Sequence, residues 1–429
     1  TIYLVIRQLQ ATLLNHVWGP RSMKAVPKHL ALVFSLASVL PTSGRSLQTA
    51  DTHTPETPPA FIAYYANFEN KRPVRNIRFN GLSHINHAFL YPDSVAMLVP
   101  GSIENDINDL IDSADANNVK VMVSLGPDHN ALRHYRAISA DSNKTAEFAD
   151  SVISFCKRHG YSGVDLDWET PVYSEAFKYE RFVRIMYVKL NANALLFSIT
   201  LPGQYGKTSF LNYEELTVHV DWINLMTYDY GNQKPAQCLH NAPLADIAAD
   251  VALFKARIPS AKLVLGLAFY GRRYNEVDSF HIGAAGIREN VLFPSDSLWP
   301  KTSDTAWKKQ FDETQQVPFM YNSELRQLIS YDDSSSLGRK CGLVCELRLK
   351  GVMFWAMDYD ARQYAYSFQK IVQERLNSGC PAAATINISM PSARRTNTGS
   401  GRIYDIRGKY LGTLQGGPAS IQNGTISLE

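Results

Sequence analysis

Three acidic residues occupy alternate positions in the segment GVDLDWE, residues 163–169. Alternate side chains of an extended strand leave the same face, so Asp165, Asp167 and Glu169 are predicted to form a ladder of carboxyl groups. The apolar residues between them would be buried, which keeps the acids from turning away. Like charges held close together are relieved when one carboxyl keeps its proton. Such a carboxyl can act as a general acid near neutral pH, whereas a solvated edge strand would carry no such chemistry.

Eight short apolar runs follow one another along the chain, and amphipathic segments such as 103–116 and 145–159 separate them. This repeated alternation predicts the fold class α/β, as a (β/α)8 TIM barrel. In that fold the active site lies at the carboxyl ends of the strands, which is where Glu169 falls. The predicted strands are 61–66, 84–90, 119–125, 161–169, 195–202, 220–228, 263–271 and 351–358.

The domain organisation follows from where this alternation is interrupted. The connection between the seventh and eighth strands is long, and residues 273–350 are predicted to form a small α+β insertion that walls a cleft. Residues 61–380 would form the catalytic barrel together with this insertion. Residues 381–429 read as a short β-like tail, and the sequence does not separate a surface-attachment or sugar-binding module from a poorly ordered end.

Residues 1–60 are predicted to hold an upstream extension, a signal peptide and a Thr/Pro-rich lead-in. Basic residues from Met23 to Lys28 precede an apolar run at 30–40 and small residues at 41–44, which is typical of a secretory leader. The run is too short to span a membrane, and no later segment is apolar enough to do so. We therefore expect a secreted protein, either extracellular or at the cell surface.

Net charge and cysteine content indicate which macromolecules and metal ions the protein is expected to bind. A formal net charge of +3 on 429 residues does not favour nucleic acid or an acidic membrane as partner. Five cysteines leave at least one thiol free of any disulfide. Cys341 and Cys345 lie one helical turn apart but lack further ligands nearby, so no metal site is predicted.

Several motifs occur in the order seen in one enzyme family. Besides the acid segment, they are M-T-Y-D at 226–229, H-N-A-P-L at 240–244, Y-G-R at 270–272, S-Y-D-D at 330–333 and F-W at 354–355. Together they resemble the family 18 glycoside hydrolases, the chitinases, over about residues 61–377. The insertion resembles the chitinase insertion domain. Ser162 departs from the pattern, because the family has an Asp there.

The resemblance implies a role for each matching residue. Glu169 would protonate the glycosidic oxygen and later activate water as a base. Asp167 would orient the substrate's own 2-acetamido group, which replaces the enzyme nucleophile in this family. Asp165 would share a proton with Asp167, and Tyr228 would hold the acetamide carbonyl. The residues assigned to substrate binding are Trp355, Asp229, Arg272, Tyr64, Ser124 and Met226, of which Tyr64 and Ser124 would also support Asp165.

The expected function is therefore a retaining, substrate-assisted chitinase, monomeric and without metal or organic cofactor. Its substrates would be chitin or β-1,4-linked N-acetylglucosamine oligosaccharides. Two alternatives remain open: an endo-β-N-acetylglucosaminidase that acts on N-glycans, and a chitin-binding lectin without catalysis. The segment 124–127 replaces the S-x-G-G of the family, and the aromatic residue that usually follows it is absent. Thr170 stands where Tyr or Phe is common in the family. We accordingly expect a preference for soluble oligomers over crystalline chitin.

Overall fold

The computed structural model describes residues 58–68, 72–169, 171–233 and 236–378, together with four short strands between residues 401 and 428. The predicted leader and most of the predicted tail lie outside the described residues. The four late strands form two antiparallel pairs, 401–404 with 410–414 and 419–422 with 425–428. Both interpretations of that tail, a binding module and a poorly ordered end, stay predictions.

Within the described residues, fourteen strands precede this tail, and we number them in chain order. They are β1 (Ala60–Tyr65), β2 (His84–Pro92), β3 (Leu98–Pro100), β4 (Lys120–Leu125), β5 (Gly163–Leu166), β6 (Leu196–Pro202), β7 (Trp222–Met226), β8 (Leu263–Ala268), β9 (Tyr270–Asn275), β10 (Ile287–Pro294), β11 (Lys308–Asp312), β12 (Val317–Asn322), β13 (Gln327–Ser330) and β14 (Gly351–Trp355). The helices are α1 (Ile107–Asp115), α2 (His129–Ser139), α3 (Ser142–His159), α4 (Ala176–Asn191), α5 (Tyr213–Val218), α6 (Leu244–Lys255), α7 (Ser295–Ser303), α8 (Ser334–Glu346) and α9 (Phe368–Asn377).

Eight of the strands close into a parallel barrel. Neighbours pair in the order β1-β14-β8-β7-β6-β5-β4-β2, and β2 pairs again with β1. The short strand β3 adds antiparallel to β2 outside this ring. The predicted (β/α)8 fold class is confirmed, and each predicted strand overlaps one barrel strand. Because parallel strands in such a barrel are covered by helices, their sequences read as nearly continuous apolar runs.

The helices form where capping residues allow the chain to turn back. Helix α3 begins after Asp141, whose carboxylate accepts hydrogen bonds from the backbone N–H groups of Asn143 and Lys144. It ends at Gly160, which has a φ of 83°, a left-handed conformation that glycine adopts without strain. The chain then enters β5, so these two caps fix the start of the acid segment.

A second sheet stands between the seventh and eighth barrel strands. It has five antiparallel strands in the order β10-β9-β13-β12-β11. Two apolar clusters of its own support it, one around Tyr274 and Phe319 and the other around Trp307 and Met320. Helix α8 follows the sheet, and its buried side chains join the barrel core. The five-stranded sheet thus has apolar clusters separate from the barrel core, whereas α8 packs as part of the barrel.

Four cysteines lie in the described part of the chain, and they differ in whether they form a disulfide. Cys156, Cys238 and Cys341 are buried free thiols, whereas Cys345 is disulfide-bonded. Among the described residues, none of the helices has the length and apolar character needed to cross a membrane.

Candidate active site

The acid segment begins in barrel strand β5 and extends past its end. Helices on the outside of the barrel hold it in place. Of the three acids, only Asp165 lies within β5, which ends at Leu166. The prediction of one regular strand over 161–169 is therefore wrong. The alternation nevertheless continues, because the N–H of Asp167 donates to the carbonyl oxygen of Leu125 at 2.9 Å. Strand pairing stops here because β4 itself ends at Leu125.

Trp168 anchors this segment between the two outer acids. Its ring is fully buried and stacks on Tyr135 of α2 with a centroid distance of 5.5 Å. Tyr179 and Phe182 of α4 contact it edge to face at 5.3 and 5.8 Å. Since this outward side is packed by two helices, the carboxyl groups of Asp165, Asp167 and Glu169 are directed to the inside of the barrel, as the alternation predicts.

Asp165 lies in the barrel interior, where five side chains donate to its carboxylate. Tyr64 on β1 and Ser124 on β4 donate at 2.7 and 2.9 Å. The other donors come from β6 and β7 and were not predicted. They are Ser198 at 2.6 Å, Thr200 at 3.2 Å and Asn224 at 3.1 Å.

These donors act against the cost of burial. Burial raises the pKa of Asp165, and the hydrogen bonds from Ser198, Tyr64 and Ser124 oppose that rise. Both carboxylate oxygens accept hydrogen bonds, which is the arrangement that an ionised carboxylate requires. The inner acid of the ladder therefore has a polar environment suited to a negative charge.

Asp167 has the opposite environment. It is 4% exposed, and its Oδ1 is buried without a hydrogen-bond partner in the described part of the chain. Burial raises its pKa well above the ordinary value, and the charges of Glu169 and Asp165 raise it further. No hydrogen bond joins Asp167 to Asp165 among the described residues, so the two acids interact through charge. The shared proton implied by the resemblance stays a prediction.

Glu169 lies nearest to solvent. It is partly exposed, and burial is still the largest cause of its raised pKa. The charge of Asp229 raises this pKa as well, whereas Lys207 lowers it. Such a carboxyl keeps its proton to higher pH than a free glutamic acid and remains accessible to a substrate.

Tyr228 follows β7 and faces the same acids. Burial raises its pKa well above the ordinary value, and the charges of Asp167 and Asp229 follow as causes. The phenol is therefore neutral at all physiological pH values and can donate a hydrogen bond. Met226, at the end of the same strand, is partly buried and packs against the barrel core.

Asp229 and Arg272 form an ion pair at the mouth of the barrel. Arg272 donates through Nε at 2.8 Å and through Nη2 at 2.5 Å to the same carboxylate oxygen, and the hydroxyl of Tyr270 donates to it at 3.1 Å. Asp229 has a φ of 61°, which is uncommon for a residue other than glycine. Its N–H donates to Asn241 at 3.3 Å, so the H-N-A-P-L loop helps to hold this conformation.

Trp355 ends β14 and supplies an aromatic surface within the mouth. It stacks on Phe89 with a centroid distance of 5.7 Å and an interplanar angle of 16°. Tyr64 and Phe68 contact it at 5.5 and 6.2 Å. The ring is partly buried. An aromatic ring that is held from one side and open on another can pack against the apolar face of a sugar.

The family Glycosyl hydrolases family 18 matches residues 60–360, which is well over half of the chain. The chain is a member of this family. The match extends from β1 past β14 and includes all of the predicted site residues of this family 18 hydrolase.

Curated proteins with similar sequences carry the names chitinase and chitotriosidase. Chitinase A1 of Niallia circulans is 27% identical over 66% of this chain and 46% of its own length. Probable chitinase 10 of Drosophila melanogaster is 26% identical over 70% of this chain and 15% of its own length. Chitotriosidase-1 of Mus musculus is 24% identical over 74% of this chain and 78% of its own length. The chain thus spans less than half of the length of the first two relatives.

Solved structures show the fold shared by this family 18 chain. The Group IV chitinase of Ostrinia furnacalis in complex with allosamidin has a TM-score of 0.68 at 18% identity, covering 75% of this chain and 98% of that one. The chitinase-like agglutinin RobpsCRA from Robinia pseudoacacia has a TM-score of 0.65 at 20% identity, covering 73% and 99%. Proteins named chitinase and agglutinin thus share one fold, so activity has to be argued from the site residues.

Three residues of this family 18 chain that donate hydrogen bonds to Asp165 were not predicted from the sequence. Ser198 and Thr200 alternate within the apolar run of β6, and Asn224 interrupts the apolar run of β7. A polar residue inside a strand that is otherwise buried on both faces is the available signal, because it must find a partner in the barrel interior. That signal indicates a polar interior but does not identify Asp165 as the partner.

Proposed function

We propose that this chain is a chitinase that hydrolyses β-1,4-linked N-acetylglucosamine polymers or oligomers. The observation that carries the proposal is the contrast within the acid ladder. Asp165 is surrounded by donors, Asp167 has a buried oxygen without a partner, and Glu169 is partly exposed with a raised pKa. One carboxyl is thus suited to charge, one to an incoming N–H group and one to proton transfer.

The proposed reaction begins with the proton of Glu169. Its carboxyl would donate to the glycosidic oxygen while the carbonyl oxygen of the 2-acetamido group attacks the anomeric carbon. Departure of the leaving sugar would give an oxazolinium intermediate. Glu169, now a carboxylate, would then take a proton from water as that water attacks the anomeric carbon. Two displacements at the same carbon retain its configuration.

The other residues would orient the acetamide and the sugar ring. Asp167 would accept a hydrogen bond from the acetamide N–H through the oxygen that lacks a protein partner. The neutral phenol of Tyr228 would donate to the acetamide carbonyl and hold it beneath the anomeric carbon, which is an orientation effect. Trp355 would support the reacting ring, and the Asp229–Arg272 pair would bind hydroxyl groups at the mouth. Five donors would keep Asp165 charged close to the developing positive charge.

The test is hydrolysis of soluble N-acetylglucosamine oligomers by wild type and Glu169→Gln, with product sizes and anomeric configuration followed by chromatography and NMR. The wild type should cleave with retention, and the variant should lose about 10²- to 10⁴-fold in kcat while still binding the oligomer. Oligomers without N-acetyl groups should not be cleaved, because they lack the internal nucleophile.

The two alternatives predict different outcomes in the same experiment. Release of N-glycans with no attack on chitin oligomers would establish the endo-β-N-acetylglucosaminidase. Oligomer binding by a folded wild type without any cleavage would establish the lectin. The retained Glu169, Asp167 and Tyr228 support the hydrolase.

We also propose that the enzyme acts outside the cell. A polymeric substrate cannot enter by diffusion, the leader-like segment 24–44 is typical of export, and a disulfide at Cys345 fits an oxidising compartment. Mass analysis of the protein recovered from medium and cell fractions tests this. Retention of an intact segment 24–44 on protein found only inside the cell would contradict it.

A further inference from the structure

An exposed apolar surface follows the acid segment on its outer side. Val172, Tyr173 and Phe177 expose 44%, 78% and 70% of their surface. Single exposed apolar residues are common on proteins, but three of them within six positions, close to a candidate catalytic acid, form a patch. Tyr173 is separated from Glu169 by only three residues.

A second loop contributes to this patch. Phe210 lies in the connection that follows β6, and its ring meets Tyr173 at 5.8 Å with an interplanar angle of 79°. The edge-to-face contact favours one orientation of Tyr173 and leaves most of that ring in solvent. The connections after two neighbouring strands, β5 and β6, therefore present one aromatic surface.

A groove of about 210 Å³ adjoins the same surface. Its lining combines one aromatic ring with carboxylate, guanidinium and amide groups, which belong to Phe177, Glu180, Arg181, Arg184, Asn212 and Glu215. Arg181 lies 5.7 Å from the ring of Phe177, and Arg184 pairs with Glu215 at 3.4 Å. Arg184 is exposed and Glu215 is partly exposed, so solvent and ligands can reach both side chains.

Strand order determines where this surface lies relative to Trp355. β5 and β14 are four places apart in a ring of eight, so they stand on opposite sides of the barrel mouth. A sugar that rests on Trp355 and directs its glycosidic oxygen to Glu169 would continue over the connections after β5 and β6. The aromatic surface is thus on the side where the leaving sugars would lie.

We propose that Tyr173, Phe177, Phe210 and the adjoining groove bind the distal leaving-group sugars of an extended N-acetylglucosamine chain. The chemistry of the surface matches such a chain, since pyranose rings have apolar C–H faces and polar edges. The inference rests on the proposed function and adds a chain-length preference to it. It also supplies, from the structure, stacking surface that the sequence appeared to lack around Thr170.

The experiment compares Tyr173→Ala and Phe177→Ala with wild type on a series of soluble oligomers, from the dimer to the hexamer. For the hexamer, each substitution should raise KM roughly three- to tenfold and leave kcat nearly unchanged. The shortest oligomers that wild type cleaves should show no change, because they do not reach the patch. Tyr173→Phe should behave as wild type, since it keeps the ring.

Tyr364→Ala is the matched control, because this exposed tyrosine lines a separate cavity beside Asn117. An unchanged hexamer KM in both patch variants would overturn the inference and leave the chitinase proposal intact. Equal losses on short and long oligomers would also overturn it, because they would place the effect at the reacting centre. If wild type neither cleaves nor binds any oligomer, the proposed function fails and this inference fails with it.

Discussion

Glu169 lies between two charged residues that act on its proton in opposite directions. Burial is the largest cause of the raised pKa of Glu169; the charge of Asp229, which follows β7, raises it further, and that of Lys207, which follows β6, lowers it. Since the general acid must be protonated, activity should fall as pH increases through the pKa of this carboxyl. The position of the alkaline limb of kcat/KM therefore reports the pKa of Glu169, to which burial and these two neighbours contribute.

Removal of each charge should move that limb in a known direction. Lys207→Met takes away a positive charge, which raises the pKa of Glu169 and shifts the alkaline limb to higher pH. Asp229→Asn takes away a negative charge and shifts the limb to lower pH. Profiles of kcat/KM against pH on one soluble oligomer measure both shifts.

The pair of variants supplies its own control, because the two shifts must have opposite signs. Lys207 is exposed, so its replacement should not affect folding. Asp229→Asn also loses its charged partner interaction with Arg272, so the height of its profile should fall while the position of the limb remains interpretable. Limbs that coincide with wild type in both variants would show that Glu169 is not the acid that limits the rate.

At the scale of elements, the acid segment depends on the helices outside the barrel. Trp168 is fully buried between α2 and α4, and it separates Asp167 from Glu169 along the chain. The packing of one indole ring therefore fixes the direction of two carboxyl groups. A substitution that alters the packing of Trp168 outside the barrel should therefore change the orientation of the carboxyl groups inside it.

Trp168→Ala should cost about 3–5 kcal/mol of unfolding free energy, because it leaves a large cavity between the helices. Activity should fall as well, since the flanking acids lose their fixed orientation. Urea denaturation and oligomer hydrolysis measure the two effects. Trp168→Phe is the control and should retain most of both. A fully active, destabilised Trp168→Ala enzyme would show that backbone pairing alone positions the acids.

The barrel could be predicted from the sequence because each of its strands is an apolar run between amphipathic segments. The ends of strands could not, as the acid segment shows. Beyond Leu166 the side chains still alternate, but the neighbouring strand β4 has ended, and pairing needs a partner that the sequence of one segment does not specify. The five-stranded order of the insertion was equally beyond reach, because its strands are short and pair across long separations.

For the whole molecule, the acid ladder carries a cost in stability. The pKa of Asp167 is raised in the folded protein, so the folded state holds a proton that the unfolded state has lost above its ordinary value of 3.8. Because the folded state binds more protons, the unfolding free energy decreases as pH rises from that value towards the folded pKa. The candidate active site therefore destabilises the fold at neutral pH and not under acid conditions.

Asp167→Asn should remove this dependence. The variant should be more stable than wild type at neutral pH, nearly equal to it below pH 3.8, and inactive. Urea unfolding at a series of pH values measures the difference. The exposed residue Asp115, changed to Asn, is the control and should follow the wild-type curve. A variant that is less stable than wild type at neutral pH would contradict the expected cost.

Site residues could be predicted from the sequence only where the residue type itself is unusual at the end of a strand. The carboxyl groups, Tyr228 and Trp355 stand out because their chemistry or size is rare at strand ends. Ser198, Thr200 and Asn224 do not, since short polar residues occur in many strands and their partner lies on another strand. Contacts across the barrel depend on how eight strands close, and that is a property of the assembled molecule.

The carboxylate of Asp165 joins groups from five of the eight barrel strands, namely β1, β4, β5, β6 and β7. These strands come from both the early and the late part of the chain. A half-assembled barrel would leave an anion in an apolar interior with too few donors, which is energetically unfavourable. Folding intermediates that lack any of these strands are thereby disfavoured, and hydrolytic activity becomes a reporter of ring closure. Fragments divided between β5 and β6 should regain turnover only when they reassociate.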